Sequence, residues 1–194
     1  MSQDHPVDLT TERLLLRRWR PGDQAPFAAM NADPEVMEHF PAPLTRAESD
    51  AFVDRIGAGF AEHGFGLWAL EVRGTGEFIG FTGLSVPSFQ AHFTPAVEVG
   101  WRLARPAWGH GYASEAARRA LAEGFTTYGL AEVVSFTTVA NVRSQAVMSR
   151  IGMTHDPADD FGHPRIASDQ PTHRHVLWRI RAPGGPQPAG PETH

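Results

Sequence analysis

The chain has no cysteine. That absence removes disulfides, thiolate-bound zinc and a cysteine nucleophile together. No run of about 18 apolar residues occurs, and the segment MSQDHPVDLTTERLLLRRW lacks the apolar stretch of a secretion signal. Runs rich in lysine or arginine are also missing, and 17 basic residues stand against 22 acidic ones, a formal net charge of -5. An acidic chain without a basic run is a poor match for a nucleic-acid duplex or an anionic membrane. The expectation is a soluble cytoplasmic protein whose main partner is neither.

Its 194 residues are 41% hydrophobic, enough to bury a core, and one domain over residues 1–181 is expected. Residues 182–194 are rich in Pro and Gly with almost no large apolar side chain, which predicts a disordered tail. Glu12 to Trp19 reads as a strand stopped by Pro21-Gly22, and Asp23 to Asn31 as a helix. The stretch TRAESDAFVDRIGAGFAEHG continues in helical period, with a capping box at Thr45 and Glu48 and a stop at Gly64. FGLWALEVR, GEFIGFTGLSV and PAVEVGWRL are three β-rich runs close enough in sequence to pair as an antiparallel meander. A second pair of elements follows: the β-branched run LAEVVSFTTVAN and the helix NVRSQAVMSRIGM, which Asn141 caps and Gly152 ends, before a last strand at His173 to Ile180.

Between the two halves lies RPAWGHGYASEAARRALAEGF. Apolar positions Tyr112, Ala116, Ala120, Leu121, Phe125 and Tyr128 recur at helical steps, while Glu115, Arg118, Arg119 and Glu123 mark a polar side, with Glu115 and Arg119 spaced for an i,i+4 pair. The first turn of such a helix carries N–H groups without internal partners and the positive end of the dipole, so it attracts an anion. Gly109 and Gly111 let a phosphate approach that backbone; the alternative is that they only make a tight turn. The loop is neither a Walker loop, having no lysine followed by Ser or Thr, nor a GxGxxG fingerprint.

EVGWRLARPAWGHGYASEA resembles the acetyl-coenzyme A loop of the GNAT N-acetyltransferases, in particular the branch that includes RimJ and RimL. TERLLLRRWRPGD, EFIGFTGL and NVRSQAVMSRIGM stand in that family's order, so the resemblance covers roughly Thr11 to Ile180. It implies an α/β GNAT fold, a mixed, mostly antiparallel central sheet flanked by helices. It also implies that acetyl-CoA is the co-substrate, that a primary amine is the acceptor, and that no metal is needed.

By the same resemblance Trp108, Gly111 and Ala113 occupy the three defining positions of the Q/R-x-x-G-x-G/A signature, Trp108 replacing the usual Gln or Arg. The backbone of Gly109, His110, Gly111, Tyr112 and Ala113 would hold the pyrophosphate, and Trp101 and Leu103 the pantetheine arm, with Asn141 a further coenzyme contact. Glu98 lies on the strand face opposite Val97, Val99 and Trp101 and is the candidate base; Ser144 is the candidate acid for the departing thiolate, with helix capping as its alternative. Most of the family has a tyrosine acid where this chain has Met148. That departure keeps open a second reading, a binding module that holds acyl-CoA with little turnover. Monomer and homodimer are both compatible with the sequence. His155, Asp156, Asp159, Asp160, His163, His173 and His175 lack any fixed metal-ligand spacing and read as a polar loop, from which His163 or the acidic run could reach the acceptor. The exposed stretch HFPAPLTRAE, with His39 and Phe40, is expected on the acceptor side.

Overall fold

A computed structural model of the chain describes residues 8–184; most of the predicted tail lies outside them. Its strands are β1 (Leu9–Thr10), β2 (Leu14–Arg17), β3 (Leu67–Val72), β4 (Glu77–Ser85), β5 (Glu98–Leu103), β6 (Glu132–Thr138), β7 (Thr154–His155), β8 (Phe161–Gly162) and β9 (Arg174–Arg181). The α-helices are α1 (Gln24–Ala32), α2 (Arg46–His63), α3 (Tyr112–Thr126) and α4 (Val142–Arg150). One mixed sheet runs β1-β2-β3-β4-β5-β6-β9-β7, with β8 also paired to β9, and every pairing is antiparallel except β5 with β6. The predicted meander is β3-β4-β5.

Alternation along β5 separates two packing environments. Val97, Val99, Trp101 and Leu103 join the larger core, where Ala116, Ala120 and Leu121 of α3 and Met148 of α4 also pack. Phe81, which faces Arg102 across the β4–β5 ladder, packs with Phe27 and Met30 of α1. The helix signals work locally as expected: Thr45 and Glu48 form a reciprocal capping box, and Gly64 closes α2 at φ 78. Asn141 accepts from the Ser144 N–H at 3.1 Å to start α4.

Four expectations are revised. The strand predicted over Glu12 to Trp19 is β2 alone, because the chain turns at Thr11 to Leu14 and pairs β1 back on it. Glu115 does not pair with Arg119; it binds Arg13, while Arg119 binds Glu123 at 2.8 Å. Glu123 belongs to the buried side of α3, not the solvated one. The polar loop before β9 also contains the short strands β7 and β8, recruited by pairing with β9.

Candidate active site

The middle of the sheet splays open. β5 pairs with β4 from Glu98 to Leu103, but its register with β6 is limited to Glu98 opposite Val134, where the Val134 N–H donates to the Val97 carbonyl at 2.9 Å. The Ala104 N–H donates to Ile79 on the β4 side at 2.9 Å. Antiparallel alternation therefore turns the backbone groups of Arg102, Gly100 and Glu98 towards β4 and those of Trp101 and Leu103 towards the gap. The Trp108 indole N–H takes the Leu103 carbonyl at 2.8 Å. The Leu103 N–H and both backbone groups of Trp101 are left facing the opening, with no backbone partner among the described residues. Trp108 itself lies between the guanidiniums of Arg105 and Arg143, 5.0 and 4.8 Å from its ring.

At the end of β5 the chain turns through Arg105–Ala107 into the glycine loop. Gly109 and Gly111 have φ of 79 and 80, a region other residues seldom enter, and Gly111 is the residue before the first turn of α3. The first backbone bond of that helix is from Glu115 to the Gly111 carbonyl, and no acceptor is present among the described residues for the N–H groups from Gly109 to Ser114. The loop is braced from the turn before β2: Arg13 donates to the His110 carbonyl at 2.9 Å, grips Glu115 at 2.6 Å and covers the Tyr112 ring. The rings of His110 and Tyr112 stack. Burial pushes the Glu115 carboxyl up, but the bonds from Thr11 and Arg13 outweigh it and hold the group below its ordinary value.

On the other face of β5 stand Glu98, Gly100 and Arg102. Glu98 faces Ser85 across the ladder and is pushed up to about 8 by burial, against a hydrogen bond from the Ser85 hydroxyl that pulls it down. Gly100 faces Gly83, so the sheet carries no side chain between Glu98 and Arg102. All three residues line a cleft of about 1740 Å³, which also takes in the glycine loop, His39, Phe40, Asn141, Ser144 and His163. That volume exceeds the range of roughly 300–1,000 Å³ usual for a single ligand and suits a long one together with a second molecule.

Across the cleft, Asn141 uses its amide oxygen on Ser144 and its nitrogen on Thr137 at 2.9 Å. The Ser144 side chain lines the cleft. Met148 also borders the cleft but is 1% exposed and packs in the large core. His163 is pushed down to about 4 by burial first and then by His175, Arg165 and His173, so it is a neutral imidazole. The acidic run beside it is occupied: Asp159 binds Arg179 at 2.8 Å and Asp160 meets His155 at 2.7 Å. Among the described residues no group of three or more His, Asp or Glu is placed to hold a metal ion, and no helix is long and apolar enough to cross a membrane.

A family model described as the acetyltransferase (GNAT) domain matches residues 13–154. The chain belongs to the GNAT acetyltransferase family. It is 34% identical over 146 residues to the uncharacterised protein YkkB of Bacillus subtilis strain 168, covering 75% of this chain and 84% of that one. It is 35% identical over 133 residues to the FsC-acetyl coenzyme A-N(2)-transacetylase of Aspergillus fumigatus, covering 65% of this chain and 56% of that one. The acetyltransferase of Agrobacterium tumefaciens C58 superimposes with a TM-score of 0.73 at 28% identity, over 93% of this chain and 97% of its own. RimL, a ribosomal L7/L12 alpha-N-protein acetyltransferase solved with coenzyme A, has a TM-score of 0.70 at 15% identity, over 91% and 97% of the two chains; that likeness shows the fold alone.

The enzyme is thus an acyltransferase that uses acetyl-CoA, and its open features fit that ligand. Unpaired N–H groups at a helix start suit a pyrophosphate, and an unpaired strand edge suits an arm that carries amides. Arg118, Arg143 and Arg150, from α3 and α4, also line the acyltransferase cleft. Reading the sequence missed Arg102, Ser85 and Arg13. Arg102 was within reach of the same reasoning that singled out Glu98, since it lies two pleats further along the same face. Ser85 and Arg13 act across strand register and over long sequence separations, for which a single sequence offers no signal.

Proposed function

We propose that the enzyme acetylates a primary amine by direct attack in a ternary complex, with Glu98 as the base. The observation that carries this is the Glu98 carboxyl, raised to about 8 on the cleft floor beside the free edge of β5. A primary α-amine titrates near 8 as well. A base matched to its partner makes proton transfer nearly balanced, which favours catalysis at neutral to mildly alkaline pH.

In this scheme Trp101 and Leu103 hold the pantetheine arm by their backbone, and the amides of Gly109, His110, Gly111, Tyr112 and Ala113 take the pyrophosphate. Trp108 fixes the turn between those two sites, and Asn141 orders the start of α4 beside the coenzyme. The amine passes a proton to Glu98 and its nitrogen bonds to the thioester carbon. The carbon–sulfur bond then breaks, and coenzyme A leaves as a thiolate that Ser144 or solvent protonates. Acceptors divide into protein N-termini, as for RimL, an alpha-N-protein acetyltransferase, and small amines; likeness to RimL at 15% identity supports the shared fold and leaves both classes in play.

Burial of Met148 in the core, where most of the family has its acid, favours a second reading, a module that binds acyl-CoA with little turnover. Calorimetric titration with acetyl-CoA, followed by thiol release against pooled amines and peptides, decides between them. Release on one amine class is expected; tight binding with no release supports the module. Gly111→Val forces a β-branched residue into φ 80 and sets its Cβ near Arg13, so it should weaken acetyl-CoA binding at least ~100-fold under either reading. Unchanged binding would mean that the glycines serve only the turn.

A further inference from the structure

Arg102 is unusual among the cleft side chains. Its guanidinium is enclosed by aromatic rings, with Phe40 4.1 Å away and Phe52 and Phe81 each at 5.7 Å. Nη1 donates to the Asn31 side-chain oxygen at 2.7 Å, and Asn31, 0% exposed, is fixed in turn by a bond to Ser49 at 2.9 Å. Nε is buried with no partner. No other hydrogen bond to the guanidinium and no ion pair is present among the described residues, so Nη2 is open on the cleft side. Burial pushes Arg102 down to about 10, which still leaves it a cation at neutral pH.

A desolvated cation costs several kcal/mol unless an anion meets it, so an arginine held in place by a neutral amide is a site short of its counter-ion. Glu98 does not supply one. Its carboxyl lies over Gly100, with Oε1 3.8 Å from where a Gly100 Cβ would stand, yet it forms no ion pair with Arg102 among the described residues. The two residues are four apart on one strand face, about 13 Å between Cα atoms. Between them Gly100 opposes Gly83 and leaves bare backbone.

We infer that the acceptor carries a carboxylate as well as its amine, and that Arg102 binds the carboxylate while Glu98 faces the amine. This rests on the acetyl-transfer reading above and names its substrate class. A carboxylate fits better than a phosphate, because one guanidinium edge offers too few donors for three phosphate oxygens and the aromatic walls make a flat slot. The cleft as a whole agrees: seven arginines but only Glu35, Glu62, Glu98 and Glu115 line it, in a chain of net charge -5. The local charge of the cleft is thus opposite in sign to that of the whole chain.

The test compares matched primary amines that differ at one end, carboxylate against carboxamide, across a series of chain lengths, and peptides with Glu or Gln near the N-terminus. Thiol release from acetyl-CoA is the readout. The carboxylate member should lead in kcat/KM by at least ~10-fold, chiefly through KM. In Arg102→Gln that ratio should fall to about one, and Arg102→Lys should restore part of it. A preference confined to free amino carboxylates places the anion on a small molecule; one confined to Glu peptides places it on a polypeptide. Either supports the inference. In a second arm, carboxylates without an amine are titrated into the protein with coenzyme A present. Thermal stabilisation that Arg102→Gln abolishes supports the inference even if no amine is acetylated, an outcome that would instead sink the acetyl-transfer reading. Turnover with no carboxylate preference, a preference for aminophosphonates, or stabilisation unaffected by Arg102→Gln would overturn it.

Discussion

Arg17 on β2 and Arg102 on β5 both carry a guanidinium into desolvated surroundings, but they are met very differently. Arg17, 3% exposed, gives two bonds to the Asp23 carboxylate at 2.7 and 2.8 Å and a third to Glu71 at 2.7 Å. The bond to Asp23 above all raises its pKa, against the effect of burial. Arg102 has one neutral partner, and Glu98, on the same strand face, has one hydroxyl. Burial drives both of these towards neutrality: Glu98 up to about 8, Arg102 down to about 10. One cluster spends its charges on holding the sheet to α1. The other leaves a carboxyl held mostly neutral and an unpaired guanidinium apart on the floor of a cleft, the pattern of groups arranged for a ligand.

The comparison is broken most severely from the paired side. Asp23→Ala strands Arg17 with a single carboxylate and removes the acceptor for the Arg20 N–H, 2.7 Å away. A loss of about 3–5 kcal/mol in urea unfolding is expected, a large part of the stability of a domain this size. A loss below about 1 kcal/mol would show that solvent replaces the pair and that the contrast with Arg102 is superficial.

Glu98→Gln tests the unpaired side and should act with opposite signs on rate and stability. Turnover should fall by roughly 100-fold, and the limb of the rate profile that rises through pH 8 should reduce to the amine's own titration. A carboxyl raised in the folded state binds more protons there than in the unfolded chain between its two pKa values. Stability is therefore fully present below about pH 4.5 and declines as pH rises towards 8. Gln pays no such cost, so the variant should be more stable at pH 8 by about 1–2 kcal/mol, allowing for solvent in the open cleft, with the gap closing towards pH 4.5. Equal melting temperatures at both pH values would remove the case for a desolvated carboxyl.

How far these two regions could be read from sequence follows from the range of their interactions. Glu98 was legible because strand parity alone puts it opposite Val97, Val99 and Trp101. Thr45 with Glu48, and Asn141 with Ser144, were legible because both caps close within three residues. The glycine loop was legible as the open first turn of a helix from the pattern that follows it. Arg17 with Asp23 spans a short turn, but its other partner, Glu71, comes from β3, and only the sheet order brings it near. Arg102 depends on Asn31, 71 residues away, and Glu115 chose Arg13, 102 residues away, over the local Arg119. Local rules gave the elements and one face of the site; the choice of ionic partners belongs to tertiary packing.

The smallest effect is the most diagnostic. Arg102→Met keeps a long, flexible side chain among Phe40, Phe52 and Phe81 and removes the unpaired charge. It also leaves the Asn31 oxygen, inside a wholly buried side chain, without its donor. That loss costs about 1–3 kcal/mol, and relief of the desolvated cation offsets it by a similar amount. Net stability should therefore change by no more than ~1 kcal/mol in urea unfolding, although a buried, hydrogen-bonded arginine has been deleted. A collapse like that expected for Asp23→Ala would mean that Arg102 is a structural cation after all, its charge met by neutral dipoles and ring faces. Near-neutrality would mean that the fold gains nothing from the charge, and a cation that the fold does not need is one kept for what enters the cleft.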